Sequence, residues 1–421
     1  MHAISGVWGL GLVLIWVPIG IALEPEPLPQ PAAQANNVFT IDRVTELALA
    51  NSPVLHQARA RVDQMQGLAI QAGLYPNPTQ NSGNPVQLGG NNSLYSTGFS
   101  QEVVRAGKLQ LNRSAAEQGV RQANLEFLRQ KFGLLTDIRH HFFMLLATQR
   151  RVEALRELRK VAEQSEKTAI SLNEGEQGAK TDVLLLRIEL RRVETLLRSA
   201  EYVRTASAQQ VAALMGLPKL SIRNVQGDLS MKIPDFDDPQ ERERLLMTSS
   251  LVESARTEIV RNQFLLRRAE VEPIPNVTFN GGYQWAINQP HSQALVGVYF
   301  SVPIWDRNQG NIRAAGANVR QSMAQLNMVQ NDLMRQLAEA LGQYRAAQQA
   351  VESYEKGILP DAQETLALVQ KGWAAGQFDF LRILQTQRSL FEANLEYITA
   401  LQERLTAAAT IAGLLQLDEF P

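Results

Sequence analysis

The sequence predicts a mixed, mainly α-helical fold with long antiparallel coiled-coil helices, a few β-strands and an internal tandem duplication. Three observations support this fold class. Apolar residues recur at helical spacing through a long stretch without proline, other short runs alternate between apolar and polar residues, and several short motifs occur twice, about 200 residues apart.

The duplication rests on motifs that recur at a nearly constant distance. The motif that begins at Pro76 recurs at Pro275, 199 residues later, and the motif at Gly175 recurs at Gly372, 197 residues later. Because the distance changes so little, we expect two copies of one structural unit rather than two unrelated domains. The predicted segments are 39–219 for repeat one, 220–239 for a connector and 240–417 for repeat two.

Each repeat is predicted to contain a helix, two strands, one very long helix, a turn and a returning helix. From Gly107 to Leu172 there is no proline, and apolar residues recur three and four positions apart, as in a coiled coil. A helix of about 65 residues would be roughly 100 Å long at 1.5 Å per residue, so it must project from any compact body. Repeat two is predicted to have the same long helices, over about 312–370 and 378–417.

The predicted strands carry one apolar face. In Asn276–Ile287 and in the run 293–304, apolar and aromatic residues alternate with mostly polar or small ones, over lengths that suit a tilted membrane-spanning strand. The run 77–88 is much weaker, so its strand is left open. The residues predicted to face outward are Tyr95, Phe99, Phe279, Tyr283, Trp285 and Phe300.

Four strands cannot close a barrel in a bilayer, because unpaired backbone groups would remain in the hydrocarbon. The chain is therefore expected to oligomerise. Three copies with four strands each would give a twelve-stranded barrel, which lies within the range of outer-membrane barrels, although the sequence fixes neither number.

The N-terminus and the composition restrict the alternatives. Residues 1–22 are predicted to be a signal peptide, with cleavage near Ala22 or Ala33, and residues 23–38 a proline-rich linker. The 41 basic and 42 acidic residues nearly cancel, which disfavours nucleic-acid binding, and the chain contains no cysteine. No motif for a nucleophile, a phosphate loop or a metal cluster stands out, so neither an enzyme nor a cofactor is expected.

Several short motifs resemble the TolC family of outer-membrane efflux proteins over essentially everything after residue 38. In the first repeat these are Tyr75–Pro78, Ser100–Glu102 and Gly107-Lys108; in the second, Pro303–Trp305 and Arg307–Ile312 resemble the heavy-metal branch of the cobalt-zinc-cadmium and copper type.

The resemblance implies a homotrimer whose barrel crosses the outer membrane and contacts its lipid, and whose helices form a periplasmic tunnel. The tunnel would dock onto a periplasmic adaptor and an inner-membrane pump of the resistance-nodulation-division class, and would serve as a passive exit for metal cations or other toxic solutes. A general drug or type I secretion duct of the same family is one alternative. A periplasmic coiled-coil adaptor is another, although it would lack membrane-length strands and the whole-chain duplication.

By the same resemblance, the turns at the ends of the long helices gate the tunnel and meet the adaptor; in the simpler interpretation, their glycines only make the turn. Asp379 matches an aspartate that narrows the aperture in family members, Arg382 stands where the family can carry a second aspartate, and Asp182 is interpreted as a helix N-cap. The predicted tip residues are Gly175, Gly178, Thr181, Asp182, Gly372, Gly376, Asp379 and Arg382.

The histidines and methionines do not predict a metal site. His140 and His141 are adjacent on a helix, so their side chains diverge, and they are interpreted as surface or packing residues. The methionines at 323, 328 and 334 are interpreted as core residues.

Overall fold

The computed structural model describes residues 38–83, 94–175, 179–233, 236, 238–286, 292–375, 377–378, 380–418 and 420. Within these residues the helices are α1 (Ile41–Asn51), α2 (Pro53–Ala72), α3 (Lys108–Glu174), α4 (Lys180–Leu214), α5 (Pro239–Met247), α6 (Ser250–Glu270), α7 (Gln309–Ser353), α8 (Leu359–Ala374) and α9 (Phe380–Leu414). The strands are β1 (Val38–Phe39), β2 (Thr79–Gly83), β3 (Leu94–Val103), β4 (Asn224–Val225), β5 (Val277–Ala286) and β6 (Ser292–Tyr299).

The chain from Val38 to Pro421 forms one compact unit. Its described elements repeat one order: a helix, two strands, a long helix and a returning helix, first in α2 to α4 and then in α6 to α9. None of the described helices combines the length and the apolar character that a membrane-crossing helix requires. The predicted signal peptide and most of the predicted linker lie outside the described residues. Val38, which the prediction gave to the linker, belongs to β1 instead and pairs in parallel with β4.

The main sheet has the strand order β2-β3-β5-β6, and all its neighbours are antiparallel. Strands β3 and β5 have ten residues each, as the alternation predicted, but β6 has eight and ends at Tyr299. The prediction that this run continues to 304 is wrong. Tyr299 already pairs with Thr278, and the partner strand β5 begins only after Pro275, which lacks a backbone N–H for the ladder.

The weak run 77–88 contains a short strand. Residues Thr79–Gly83 form β2 and pair with β3, from Thr79 opposite Ser100 to Gly83 opposite Ser96. The rest of the run beyond Gly83 lies outside the described residues. The five described residues of β2 pair regularly with β3 although all of them are polar or glycine.

The first long helix is continuous and the second is interrupted. Helix α3 runs for 67 residues, as the spacing of its apolar residues predicted. The prediction of one uninterrupted helix over 312–370 is wrong, because a π-helix, Tyr354–Ile358, separates α7 from α8. Pro360 is the second residue after this π-helix, in the first turn of α8. A proline in a helix lacks an N–H and clashes with the carbonyl four residues before it, so the backbone widens there.

The largest hydrophobic core surrounds the middle of α3. It joins α3 to α1, α4 and α9, and to the segment between the repeats through Ile222, Val225 and Leu229. Fully buried side chains of this central core include Val44, Ile138, Phe142, Phe143, Leu146, Met215 and Leu405. A second core holds α7 against α9 through Leu333, Leu337 and Ile411. The helices are therefore fixed at their middle, and the sheet and the helix tips extend from opposite ends.

Candidate functional site

One face of the main sheet is apolar and largely aromatic. Antiparallel register places directly opposed residues on the same face. On this face Tyr95 lies beside Trp285, Thr97 beside Tyr283, Phe99 beside Gly281 and Val296, and Gln101 beside Phe279 and Val298. Phe99 is 62% exposed and Phe279 51%, so this face is uncovered in the single chain.

The aromatic side chains on this face contact one another. The rings of Tyr95 and Trp285 are stacked with centroids 5.9 Å apart, and Tyr283 lies 6.1 Å from Trp285. Phe300, predicted to share this face, lies just beyond the end of β6 and is 61% exposed. An exposed aromatic and aliphatic surface of this kind is typical of a face that meets lipid or another protein.

The opposite face of the sheet is mostly polar or small. It carries Ser96, Gly98, Ser100, Glu102, Thr278, Asn280, Gly282 and Gln284. At β2 the distinction weakens, because Gln80 lies opposite Phe99 and Ser82 opposite Thr97, which places two polar side chains on the aromatic face. The apolar face is thus more continuous on β5 and β6 than on β2.

A buried lysine at the start of α3 contacts the segment between α6 and β5, and the sequence did not predict this contact. Lys108, at the start of α3, is 3% exposed, and its Nζ donates to the Glu272 carbonyl at 3.1 Å and lies 3.6 Å from Glu272 Oε2. Burial raises the pKa of Glu272, but the hydrogen bond and charge of Arg268 and the charge of Lys108 outweigh it and lower this pKa overall. Next to it, Asn276 Nδ2 donates to Glu102 Oε1 at 2.7 Å.

The first helix tip joins α3 to α4. Gly175 follows the last residue of α3, and its N–H donates to the Ser171 carbonyl at 3.1 Å. Its φ of −84° is ordinary for any residue, and a Cβ there would make only normal contacts. The backbone angles at this turn therefore do not require a glycine. Thr181 lies exposed in the first turn of α4.

Asp182 is not the N-cap of α4. The residue in the N-cap position is Ala179, which makes no side-chain cap bond, and Asp182 lies in the first helical turn, where its own N–H donates to the Ala179 carbonyl at 3.0 Å. The capping interpretation is wrong by three positions. A carboxylate in the first turn still interacts favourably with the helix dipole.

The second helix tip has a different construction. Gly372 lies inside α8, not in the turn, and a Cβ there would overlap the ring of Phe378. The guanidinium of Arg382, in α9, lies 4.8 Å from the centre of the same ring. The Gln377 N–H donates to the Gly372 carbonyl at 2.8 Å. Gly372 therefore makes room for an aromatic ring on which a cation stacks.

The two tips approach one another through a small apolar cluster. Ala169 of α3 packs against Val183 and Leu186 of α4, and Leu384 of α9 packs against this cluster. Arg187 Nε and Glu166 Oε1, 3.0 Å apart, join α3 to α4 at the same level. Gly178, Gly376 and Asp379, which were predicted at the tips, lie outside the described residues.

The adjacent histidines have different surroundings, as their positions on a helix predicted. His140 is half-buried, and its Nε2 lies 2.9 Å from the Thr406 carbonyl and from Thr410 Oγ1, both on α9. Burial lowers the pKa of His140, although the contact with Thr406 and the charge of Asp137 partly oppose this. His141 contacts only the Asp137 carbonyl of its own helix among the hydrogen bonds found, at 2.8 Å. His140 is thus a packing residue between α3 and α9.

In the described part of the chain, no three His, Cys, Asp or Glu side chains come together in a way that could hold a metal ion. The interpretation of the methionines as core residues is wrong, since Met323, Met328 and Met334 are 46%, 63% and 42% exposed on α7.

Comparison with known proteins agrees with this architecture. Residues 244–415 match the family model described as outer membrane efflux protein. This chain contains an outer membrane efflux protein domain. The domain begins in α5 and extends through β5, β6 and the second long helix to the end of α9, which confirms the resemblance indicated by the short motifs.

Similarity to individual proteins extends beyond this domain. The chain is 24% identical over 398 residues to the cobalt-zinc-cadmium resistance protein CzcC of Cupriavidus metallidurans, with 91% of each chain covered. Among solved structures, it resembles CusC with a TM-score of 0.78 at 16% identity, covering 91% of this chain and 95% of that one. It resembles the outer-membrane channel OprN with a TM-score of 0.76 at 17% identity, covering 89% of each. The helical part and the sheet therefore have the fold of outer-membrane channels.

Proposed function

We propose that this chain is one subunit of an outer-membrane channel in a tripartite efflux system, where it forms a passive exit duct for metal cations or other toxic solutes. The proposal is supported by the efflux protein domain over residues 244–415, by the similarity to CzcC along most of both chains, and by the channel fold.

The observation that carries the proposal is the sheet with one exposed aromatic face and one mostly polar face. In lipid, the outer strands β2 and β6 of the described sheet need partners for their backbone groups. Three copies joined edge to edge would close a twelve-stranded barrel, with the aromatic face toward the outer-membrane lipid and the polar face toward the lumen. The duplicated repeats, 39–219 and 240–417, would then each contribute two strands per chain.

The long helices would extend from this barrel into the periplasm. Helix α3, at about 1.5 Å per residue, is on the order of 100 Å long. Its tips would meet a periplasmic adaptor and, through it, an inner-membrane pump that supplies the energy. The tip residues Gly372 and Arg382, together with Asp182, are proposed to contribute to the gate and to this docking surface.

Metal cations are the proposed cargo because the relative CzcC is a cobalt-zinc-cadmium resistance protein. A general drug exit duct of the same family is the alternative. Deletion of the gene is expected to increase sensitivity to cobalt, zinc, cadmium or copper. Increased sensitivity to hydrophobic drugs without any change toward these metals would support the alternative instead.

The channel itself is tested by placing a charge on each face of β6. Val296, 88% exposed on the aromatic face, is changed to Arg, and its neighbour Leu295, on the polar face, receives the same substitution as the matched control. An arginine facing lipid near the bilayer midplane costs about 2–4 kcal/mol, whereas one in a lumen costs much less.

The wild type and Leu295→Arg are expected to assemble in detergent and to conduct in planar bilayers, whereas Val296→Arg is expected to lose barrel assembly or insertion. A wild-type chain that stays a soluble monomer without conductance would overturn the proposal. Equal tolerance of both substitutions would overturn the assignment of the lipid-facing side.

A further inference from the structure

The interruption in the second long helix is a site of low local stability. In the π-helix Tyr354–Ile358 the backbone bond is made one residue further back than in an α-helix, as from the Leu359 N–H to the Tyr354 carbonyl. Pro360 supplies no N–H to this turn. The wider turn relieves the proline clash at the expense of regular helical hydrogen bonding.

Only Tyr354 of this segment packs against the central core, and it is partly buried. None of its five residues is buried, and Ile358 is 44% exposed. A Cβ at Gly357 would meet nothing within 4 Å, so packing does not require a glycine there. A glycine inside a helix costs roughly 0.5–1 kcal/mol relative to alanine, because it loses more backbone freedom on folding. Gly357 and Pro360 thus both weaken the same turn.

Two reciprocal hydrogen bonds tie this segment to α9. The Tyr354 hydroxyl donates to Glu396 Oε2 at 2.6 Å, and the Tyr397 hydroxyl donates to Glu355 Oε1 at 2.6 Å. The two tyrosine rings lie 6.5 Å apart between these bonds. Hydrogen bonds to a carboxylate are stronger than those between neutral groups. These bonds are therefore well placed to fix a turn that contacts the central core only through the partly buried Tyr354.

The hydroxyls remain protonated donors at neutral pH. Burial and the bond to Glu355 raise the pKa of Tyr397 to about 12. The bond to Glu396, with burial and the charge of that carboxylate, also raises the pKa of Tyr354.

We propose that the π-helix Tyr354–Ile358 is a hinge at which α8 changes its angle to α7, and that the Tyr354–Glu396 and Tyr397–Glu355 hydrogen bonds form a latch that holds the hinge in the angle seen here. The first long helix has no such hinge, because α3 continues without interruption from Lys108 to Glu174. Movement of α8 would carry Gly372 and the second tip with it, while the first tip stays in place.

Distances between spin labels across the hinge test this proposal. The chain contains no cysteine, so two introduced cysteines are the only labelled sites. Arg335 on α7 and Lys371 on α8 are exposed and span the hinge, at about 50 Å for a straight helix. Arg129 and Lys167 are exposed positions that span a comparable length of α3 and serve as the matched pair. Labelled chains are diluted with unlabelled ones, so that only distances within one chain are measured.

Replacing Tyr354 and Tyr397 by Phe keeps both rings and removes both latch bonds. In this variant we expect a shorter mean distance and a broader distribution between labels at 335 and 371, with no change between labels at 129 and 167. Tyr202→Phe, at a tyrosine that is 77% exposed on α4, is the control and should change neither distribution.

The combined change Gly357→Ala and Pro360→Ala tests the hinge by making its turn more helical instead of removing the latch bonds. It should restore an α-helical turn and narrow the 335–371 distribution relative to the wild type. Identical distributions in the wild type, the double Phe variant and this variant would overturn the proposal. The measurement does not use conductance, so its outcome is independent of the proposed channel.

Discussion

The two long helical arms of this chain follow one plan but differ in where they are held. The first arm, α3, is continuous for 67 residues and carries the largest buried side chains of the molecule at its middle. The second arm, which comprises α7, the π-helix and α8, is interrupted at Tyr354–Ile358, where no residue is buried. At this level the first arm is held by buried core residues, and the second is held by the partly buried Tyr354 and by two side-chain hydrogen bonds.

This difference shows that two helical arms with the same order of elements can be held in place by different interactions. Apolar packing is insensitive to the direction of single groups and fixes α3 against its neighbours over a large area. Hydrogen bonds between a few side chains act at one point and can be broken without unfolding the rest. If the first arm is rigid and the second can bend at the π-helix, the second tip can move while the first tip stays in place.

The largest expected effect is a difference in the free energy of unfolding between one substitution in the first arm and one in the second. Ile138 of α3 is 1% exposed, and Ile358 of the π-helix is 44% exposed. Ile138→Ala should lower the free energy of unfolding by about 2–5 kcal/mol, through lost burial and the cavity left behind. Ile358→Ala should lower it by less than about 1 kcal/mol. Thermal unfolding of the detergent-solubilised protein measures both, and equal losses would show that the arms do not differ in packing.

A smaller effect is expected where the tips differ. In Gly372→Ala the new methyl group overlaps the Phe378 ring, which must move away from Gly372 and from Arg382, at about 1–3 kcal/mol. In Gly175→Ala the new methyl group makes only ordinary contacts and the φ is ordinary, so the change should be neutral or stabilise by about 0.4–1 kcal/mol. Hydrogen exchange at residues around each tip compares the two variants. Similar loss of protection at both tips would contradict the assignment of Gly372 as the constrained glycine.

The long elements could be predicted from the sequence because their signals are local. Spacing of apolar residues and absence of proline predicted α3 to within a few residues, and alternation predicted β3 and β5. The same reasoning failed in the second arm, where the periodicity continues through Pro360 and the proline was given too little weight. It also failed at the end of β6, because a strand ends where its partner ends, and that depends on the register.

The side-chain contacts could not be predicted in the same way, since they join positions far apart in the sequence. Lys108 and Glu272 meet only because the sheet brings the start of α3 to the end of α6. The sequence contains one sign of the latch. Tyr354-Glu355 and Glu396-Tyr397 are complementary dipeptides in reversed order, as two antiparallel helices require. Without the helix register, such a pair cannot be distinguished from chance.

The smallest expected effect concerns the contact between the first arm and the returning helix of the second repeat. Burial lowers the pKa of His140 below the ordinary value of 6.5, so the folded protein favours the neutral ring. As the pH falls below 6.5, the unfolded chain takes up this proton more readily, and the free energy of unfolding decreases. The part of the folded protein's stability that depends on a neutral His140 is fully present above pH 6.5, and it is lost as the pH falls through the lowered pKa of His140.

His140→Gln keeps a side-chain N–H that can donate to the Thr406 carbonyl but cannot titrate. It should therefore reduce the loss of thermal stability between about pH 7 and pH 5, which lie on either side of the ordinary pKa of histidine. His141→Gln is the comparison at the adjacent residue, whose charge is the smallest cause of the lowered pKa of His140, so it should change the pH dependence less than His140→Gln does. If both variants lose stability with falling pH as steeply as the wild type does, His140 does not link protonation to the contact between α3 and α9.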